Sequence, residues 1–417
     1  MGRIQQERAS FSNMGFELFL FLYILHDMPV VGEITPAVVF IAVTGLLYFF
    51  SAFKMGTQNF LFYFRRALPI TLMYVLVLAV QIFTGNSAFA GTAFGYVQLI
   101  ISLIIGQYII EYKDYKLAKR IAIILALCYS VTAVTTYIGL QQFPNASREL
   151  ATGSLGQYEE YFAMYRIMNI GGFTFVYYIT LVIPLLIGFV KKGIGNRIIL
   201  VIMIAGFILT VLESQYTTAL LLSLVSLVLF FANKVFNRKR SISFFVIAVV
   251  ALTVISTIVP TVLSSLSRNV DSEILSNRLE DLANMTNGGQ TEYVDDEGDL
   301  SARMYHYTKS WDYFTGSAGL GTWQLDKIGG HSYLLDYMAI FGVLGLLIFI
   351  IMWMTAWKRY LKGLQNSSWY GYVLFSFMAA VLLSVLNPHI DLYFVGFVTP
   401  VFIVLFDHRE RLKHYAA

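Results

Sequence analysis

The chain has 417 residues, of which 57% are hydrophobic and 13% are charged, and its mean hydropathy is +0.67. Soluble domains contain about 25% charged residues, so this composition excludes an ordinary soluble fold. The net charge of +4 comes from basic residues in short segments between apolar runs and predicts no nucleic-acid partner. Cys128 is the only cysteine, which excludes structural disulfides and thiolate metal sites.

Apolar runs of about 20 residues, the length that spans the hydrocarbon of a bilayer, recur along the whole chain. We therefore predict an all-α polytopic membrane protein with about twelve transmembrane helices, forming a single domain over residues 1–417. The predicted helices cover residues 13–30, 36–53, 68–84, 94–112, 119–140, 172–190, 197–213, 215–232, 242–263, 332–357, 368–386 and 391–406.

The distribution of basic residues orients these helices, because cytoplasmic loops are enriched in Lys and Arg. If both termini are cytoplasmic, all but seven of the 29 Lys and Arg residues fall in cytoplasmic segments. Residues 264–331 then form a large extracytoplasmic loop, and residues 141–171 form a second outer loop. The seven outer cations are Arg148, Arg166, Arg268, Arg278, Arg303, Lys309 and Lys327.

Three of the outer arginines, Arg166, Arg278 and Arg303, lie in segments whose sequence indicates order. Arg166 precedes an Asn-Ile-Gly-Gly sequence that leads into a predicted helix. Arg303 lies in a predicted helix over residues 301–314, on one face with Tyr307, Ser310 and Phe314. The arginine fork binds two diphosphate oxygens at once. Each arginine could instead pair with one of the many acidic residues of the loop.

Gly319-Leu320-Gly321 and His331 lie in the last part of the large outer loop. A lone Gly-x-Gly predicts a tight turn, and its position after the arginine helix favours substrate binding. His331 is either a hydrogen-bonding surface residue or a general base, because histidine ordinarily titrates near working pH. Asp336 lies about 140° further around the predicted helix, so the sequence does not support a His–Asp dyad.

Two further features have simple interpretations. The acidic string over residues 293–300 lacks the ligand spacing of an EF-hand, so a solvated turn is favoured over a calcium site. Aromatic residues near the predicted interfaces are typical of membrane anchors, with a sugar-binding platform as the alternative. The sequence contains no His-x-x-x-His and no Asp-x-Asp, so we predict no metal site.

Two segments together form a larger pattern. The first is Arg166-Ile-Met-Asn-Ile-Gly-Gly-Phe173, which enters a helix ending in Ile183-Pro184-Leu185. The second comprises Arg303, Trp311-Asp-Tyr-Phe314, Gly319-Leu-Gly321, Gly330-His331-Ser332 and Phe341-Gly-Val-Leu-Gly345. These segments resemble the two arginine-containing signatures of the O-antigen polymerase and ligase superfamily. The predicted topology, with a long outer loop before the last three helices, extends the resemblance to the whole chain.

The resemblance implies a GT-C-like glycosyltransferase in the bacterial cytoplasmic (inner) membrane, with its active site on the extracytoplasmic face. Such an enzyme joins polyprenyl-diphosphate-linked oligosaccharide repeats into O-antigen, capsule or exopolysaccharide, without metal or cofactor. The implied partners are the lipid-linked donor and acceptor, the bilayer, a chain-length regulator and a flippase. The implied catalytic residues are His331 and Arg303, and the implied diphosphate- or substrate-binding residues are Arg166, Arg278, Gly319, Gly321, Tyr307 and Ser332.

The chain departs from the family at the outer end of a middle helix, where the ligases often carry Ser-Arg-Gly. The corresponding residues here, 213–218, read Glu-Ser-Gln-Tyr-Thr-Thr. The missing arginine favours a polymerase over a lipopolysaccharide ligase, and Glu213 is either a functional carboxylate or a helix-end acid facing water. Two alternatives remain: a ligase-type glycan transferase of the same superfamily, and a lipid-linked oligosaccharide flippase. Transporters place charged residues within their spans, whereas the spans predicted here are nearly free of charge.

Overall fold

The computed structural model describes residues 14–25, 28–33, 65, 67–84, 90–152, 159–214, 216–231, 300–364, 367–388 and 392–416. The regular secondary structure of these residues is all helical, as predicted, and they contain no strand. The helices are α1 (Met14–Leu25), α2 (Pro29–Glu33), α3 (Leu68–Thr84), α4 (Ala90–Tyr112), α5 (Tyr115–Gln142), α6 (Ala146–Thr152), α7 (Glu159–Ile167), α8 (Phe173–Lys192), α9 (Arg197–Glu213), α10 (Thr217–Phe231), α11 (Leu300–Gly316), α12 (Tyr333–Tyr360), α13 (Tyr370–Leu386) and α14 (Thr399–Ala416).

Most of the predicted segments are helical, and α3 and α9 have the predicted bounds; that about twelve of them span the membrane stays a prediction. The prediction of one helix over residues 13–30 is wrong, because the chain forms α1 and α2 with a bend at Met28. Proline is favoured at the start of a helix and disfavours helical backbone in the residue before it, so Pro29 begins a new helix. The predicted outer loop 141–171 contains two short helices, α6 and α7. The predicted helices 36–53 and 242–263, and residues 264–299 of the large loop, lie outside the described residues.

Three described segments, Tyr115–Gln142, Phe173–Lys192 and Tyr333–Leu364, are long and apolar enough to cross a membrane. Four shorter apolar helices accompany them, at Leu68–Thr84, Leu99–Tyr112, Thr218–Leu227 and Tyr370–Leu386. Lengths and composition of this kind are typical of a helical membrane protein.

The chain divides into two compact units. The first unit comprises Met1–Tyr74, Gly91–Phe231 and Leu392–Ala417, and the second comprises Val75–Ala90 and Ala232–Asp391. At the centre of the first unit, α8 is buried almost all round from Phe175 to Val190. It packs against α6, α9, α10 and α14, while α5 packs against α1, α9 and α14. A helix that is apolar on every face is suited to such a buried position or to a membrane span.

The first unit contains a π-helical segment, Phe394–Val398, which leads into α14. Pro400 has no N–H to donate to the Gly396 carbonyl. The N–H of Thr399 donates to the carbonyl of Phe394, five residues earlier, which is the π-helical pattern. A Cβ at Gly106 of α4 would overlap the Gly396 carbonyl oxygen. Glycine at this position therefore permits the close approach of the two helices.

In the second unit, α11 packs against α12, and α12 packs against α13. The sequence predicts one continuous helix over residues 332–357, but α12 is interrupted at Gly342, whose backbone is non-helical (φ 62°, ψ −144°). The loop between α11 and α12 meets α12 at this interruption, and it carries most of the predicted site residues.

Candidate functional site

The loop before α12 ends in a Gly-Gly-His-Ser turn (residues 329–332), which we call the histidine turn. Two buried side chains hold it: Ser310 of α11 is 1% exposed and Asp336 of α12 is 4% exposed. The Ser310 hydroxyl donates to Oδ1 of Asp336 over 2.6 Å and accepts the N–H of Gly329 over 2.7 Å. Asp336 also accepts the N–H of Gly330 through Oδ1 (3.1 Å) and that of Ser332 through Oδ2 (3.4 Å). The carboxyl group thus fixes the backbone on both sides of the histidine.

The histidine turn places His331 against a second imidazole, that of His306 in α11. The two ring centroids lie 4.2 Å apart, with an angle of 34° between the ring planes. Nδ1 of His306 is buried and has no hydrogen-bond partner among the described residues. A Cβ at Gly329 would overlap the carbonyl oxygen of His306, so glycine is needed for the turn to approach α11 this closely.

The C-terminal end of α13 is bound to the same region by three donors. The Ser332 hydroxyl donates to the carbonyl of residue 385 over 2.6 Å, and the Tyr307 hydroxyl donates to that of residue 386 over 2.7 Å. The N–H of Tyr333 donates to the carbonyl of residue 387 over 2.8 Å. Ser332 also caps α12 by accepting the N–H of Leu335 over 3.1 Å. The hydroxyls of Ser332 and Tyr307 thus bond to backbone groups that helix ends leave free. The predicted contacts of these two residues with substrate stay predictions.

Gly319 and Gly321 form the predicted tight turn, with φ angles of 78° and 80°. The N–H of Gly319 donates to the Phe314 carbonyl (3.0 Å), and that of Gly321 donates to the Ser317 hydroxyl (2.9 Å). A Cβ at Gly321 would overlap backbone atoms at the interruption of α12. The structure therefore gives the Gly-x-Gly a packing role, and its binding of substrate stays a prediction.

The predicted helix that carries Arg303 is confirmed as α11, and Arg303 lies in its first turn. His306 and Tyr307 lie one helical turn after Arg303 along α11. The Arg303 side chain and the whole of Arg278 lie outside the described part of the chain.

In the first unit, Arg166 is an exposed residue in the last turn of α7. Asn169 ends this helix in the left-handed conformation (φ 56°), and the N–H of Ile170 donates back to the Tyr165 carbonyl over 2.9 Å. This arrangement is a Schellman-type helix end, for which asparagine is second only to glycine. The Asn-Ile-Gly-Gly sequence after Arg166 is thus the turn that connects α7 to α8.

The buried side chain of Asn169 attaches that turn to α5. Its amide donates to the hydroxyls of Thr132 and Thr135, both over 3.1 Å, and its carbonyl accepts the N–H of Val30 over 3.3 Å. Thr135 in turn donates to the Asn169 backbone carbonyl over 2.8 Å. These bonds fix the backbone just after Arg166.

Tyr165, next to Arg166, donates its hydroxyl hydrogen bond to Glu149 of α6 over 2.9 Å. Burial, reinforced by this bond and by the charge of Glu149, raises the pKa of Tyr165 to about 12. The phenol therefore keeps its proton, and with it the link between α6 and α7, at every physiological pH.

Glu213 is the last residue of α9 and is half-buried. Tyr216, three residues later, donates its hydroxyl to the Ser147 carbonyl over 2.7 Å, and the Ser147 hydroxyl donates to the Gly171 carbonyl over 2.7 Å. The turn that holds Glu213 and the turn that follows Arg166 are therefore joined through α6, at one end of the first unit.

The opposite end of α5 in the first unit gathers basic residues from segments predicted to be cytoplasmic. The Asp407 carboxylate forms ion pairs with Lys113 (3.1 Å) and Arg411 (3.3 Å). The ring of His408 stacks on that of Tyr115, with the ring centroids 3.6 Å apart. Burial, and then the charge of Arg411, lower the pKa of His408, while Asp407 opposes the change. Arg166 and this basic cluster therefore lie at opposite ends of the unit.

Sequence reasoning missed His306 and Asp336 as members of the site. His306 lies one helical turn after Arg303, and that spacing was an available signal. Asp336 lies in the first turn of α12, where a carboxylate commonly binds N–H groups that the helix leaves free. The absence of a His–Asp dyad stays a prediction; the structure shows Asp336 bound to the backbone of the histidine turn.

Among the described residues, no group of three His, Cys, Asp or Glu side chains is arranged to hold a metal ion. Searches against protein-family models and against curated proteins found no match to the chain. What the described site offers is a partly exposed imidazole, held on a rigid turn beside a second imidazole, at the start of an apolar span. Such a group can accept a proton from a hydroxyl nucleophile.

Proposed function

We propose that this protein is a bacterial polysaccharide polymerase, which joins polyprenyl-diphosphate-linked oligosaccharide repeat units at the outer face of the cytoplasmic membrane. The observation that carries the proposal is the histidine turn: His331 is positioned by Ser310 and Asp336 where α12, a membrane-length apolar helix, begins. The helix that carries Arg303 packs directly against α12. A general base and a cation on adjacent elements suit the transfer of a glycan from a lipid diphosphate.

In the proposed reaction, a hydroxyl oxygen of the acceptor repeat attacks the anomeric carbon of the donor glycan. The bond between that carbon and the diphosphate oxygen breaks, and polyprenyl diphosphate leaves with the bonding electrons. His331 takes the proton of the attacking hydroxyl. Arg166, Arg278 and Arg303 stabilise the negative charge of the leaving group, because preorganised cations act strongly where water is excluded. The proposal requires no metal and no cofactor.

The wider architecture of the proposal is a GT-C-like bundle of about twelve spans with both termini cytoplasmic. Two observations support it. Charged residues of the three long apolar segments lie near their ends, at Lys116, Lys119, Arg120, Lys191, Lys192, Asp336, Lys358, Arg359 and Lys362. In addition, the basic cluster around Asp407 lies at the end of the first unit away from Arg166.

Two other functions fit parts of the same observations. A ligase-type transferase would use the same base and cations but deliver the glycan to a different acceptor. A flippase for the lipid-linked oligosaccharide would require polar groups along the spans. In the described spans, charge is confined to the ends, which favours the enzyme.

The decisive test is to incubate the purified protein in detergent with the lipid-linked repeat unit of its host, in EDTA, and separate the products on a gel. A polymerase gives a ladder of repeat lengths. His331→Ala should slow ladder formation by about 100-fold or more, the usual contribution of a general base. Arg303→Ala should slow it by about 100-fold, the usual contribution of one group that stabilises developing charge. Lys327→Ala, which removes an outer cation not assigned to the site, is the matched control.

A deletion strain distinguishes the three functions by the lipid intermediate that accumulates. Loss of a polymerase leaves single repeats on the outer face, loss of a transferase leaves long polymer on the lipid carrier, and loss of a flippase leaves single repeats on the inner face. Full polymer from His331→Ala and Arg303→Ala, at normal protein levels, would refute the mechanism.

A further inference from the structure

The loop residues that lie on the interruption of α12, Gly319 to Trp323, have an unusual hydrogen-bonding pattern, and we call them the strap. Their five consecutive N–H groups are all bonded within the protein although the segment is not helical. The acceptors, in order, are the Phe314 carbonyl, the Ser317 carbonyl, the Ser317 hydroxyl, the Ala339 carbonyl and the Ile340 carbonyl.

Two carbonyl groups of the strap are also hydrogen-bonded within the protein. The Gly319 carbonyl accepts the N–H of Val343 over 2.9 Å, next to the interruption of α12. The Leu320 carbonyl accepts the indole N–H of Trp323 over 3.1 Å, so the polar atom of the indole is satisfied within the strap. A loop in water has no need of such complete pairing of its N–H groups, because water bonds to free backbone groups. A loop in hydrocarbon has no other means of satisfying them.

The most exposed side chains of the strap are apolar. Leu320 is 74% exposed and Trp323 is 43% exposed. Isolated exposed apolar residues are common on soluble surfaces, so this exposure alone decides nothing. Here it coincides with a backbone whose N–H groups are all paired.

The strap also adjoins an exposed apolar stripe on α12. The stripe consists of Val343, Leu347, Ile350, Ile351 and Met354, which recur at helical spacing along this membrane-length helix. A Cβ at Gly319 would lie 3.6 Å from a methyl group of Val343, so the strap continues the stripe at its first residue. In a membrane-spanning helix, an exposed apolar stripe faces lipid.

We propose that the strap is embedded in the bilayer, with Leu320 and Trp323 in contact with lipid acyl chains. The chain then returns to water at Asp326, an exposed residue six positions after Leu320. The histidine turn, which follows directly, lies at the membrane interface. This inference does not rest on the proposed function.

The test uses spin labels at single cysteines in lipid nanodiscs, in a Cys128→Ala background that removes the native thiol. Labels are placed at Leu320→Cys in the strap, at Leu347→Cys on the stripe as the lipid reference, and at Asp326→Cys as the water reference. All three side chains are exposed, so labelling removes little packing. Collision rates are measured with oxygen, which enters lipid, and with a water-soluble nickel chelate.

The label at Leu320 should have the same oxygen and nickel collision rates as the label at Leu347. Its nickel collision rate should be at least about tenfold below that of the label at Asp326, which is equivalent to about 1.4 kcal/mol of exclusion. A nickel collision rate at Leu320 equal to that at Asp326 would overturn the proposal. A second measurement needs no label: lipids brominated on their acyl chains should quench a larger fraction of the fluorescence in the native protein than in Trp323→Phe. Equal quenched fractions would likewise place the strap in water.

Discussion

Replacing Gly342 by alanine should destabilise the protein severely, because the three atoms nearest to the added methyl group are all backbone atoms. A Cβ there would overlap the carbonyl oxygen of Gly319 and the carbonyl carbon of Leu320. Relief of this overlap requires the strap to leave α12, which breaks three backbone hydrogen bonds between them. Each is worth about 1 kcal/mol net, and the conformation of Gly342 itself costs another residue about 1–3 kcal/mol. The expected loss is about 4–6 kcal/mol.

Two other glycines of the second unit separate the contributions. Gly330 has a positive φ of 84° but no atom within 4 Å of an added Cβ, so Gly330→Ala tests the backbone conformation alone, at about 1–2 kcal/mol. Gly316 has neither a positive φ nor a neighbour within 4 Å, so Gly316→Ala should change stability by no more than about 0.5 kcal/mol.

The assay is the temperature at which the detergent-solubilised protein loses its monodisperse peak in size-exclusion chromatography. The expected order of stability is Gly316→Ala, equal to the native protein, then Gly330→Ala, then Gly342→Ala. If Gly342→Ala withstands heat as well as Gly316→Ala, the strap does not depend on the contact described, and the reasoning is refuted.

Three further predictions concern polar contacts. Asp336→Ala removes the acceptor of the Ser310 hydroxyl proton and of two N–H groups and should cost about 2–4 kcal/mol. Ser310→Ala should then cost less than it does in the native protein, because only the bond from the Gly329 N–H is left to lose; fully additive losses would contradict the coupling of the two side chains. Asn169→Gly should be more stable than Asn169→Ala by about 1 kcal/mol, because both lose the amide but only glycine tolerates the left-handed backbone; equal heat resistance would contradict this. For Tyr165, the folded state keeps a proton that the unfolded state loses near pH 10, so stability should fall as pH rises from 10 to 12. That fall should be smaller in Tyr165→Phe, as measured by the same heating assay; an equal fall would mean that another group causes it.

Much of the helical framework could be predicted because it depends on neighbouring residues in the sequence. The bounds of α9 follow from an apolar run with a capping residue, Asn196, whose side chain accepts the N–H groups of Ile198 and Ile199. The preceding Gly193 and Gly195 have positive φ and end α8. Hydropathy and capping are local properties, so a single sequence suffices to locate them.

The candidate site was predicted in part. His331, the helix of Arg303 and the tight turn at Gly319–Gly321 are visible as residue types at recognisable spacings. Asp336 could not be assigned from spacing, because its role depends on where the histidine turn lies, and that position is set by its contact with α11.

By itself, the sequence determined that this chain is helical, apolar over membrane-length segments, and polar near His331. Only the tertiary structure decided that α12 is interrupted at Gly342, that the strap supplies the hydrogen-bond partners there, and that His306 packs on His331. The physical reason is the range of the interactions. Hydrophobicity and capping act over one or two helical turns, whereas a broken helix is stable only if distant backbone atoms replace the bonds it has lost.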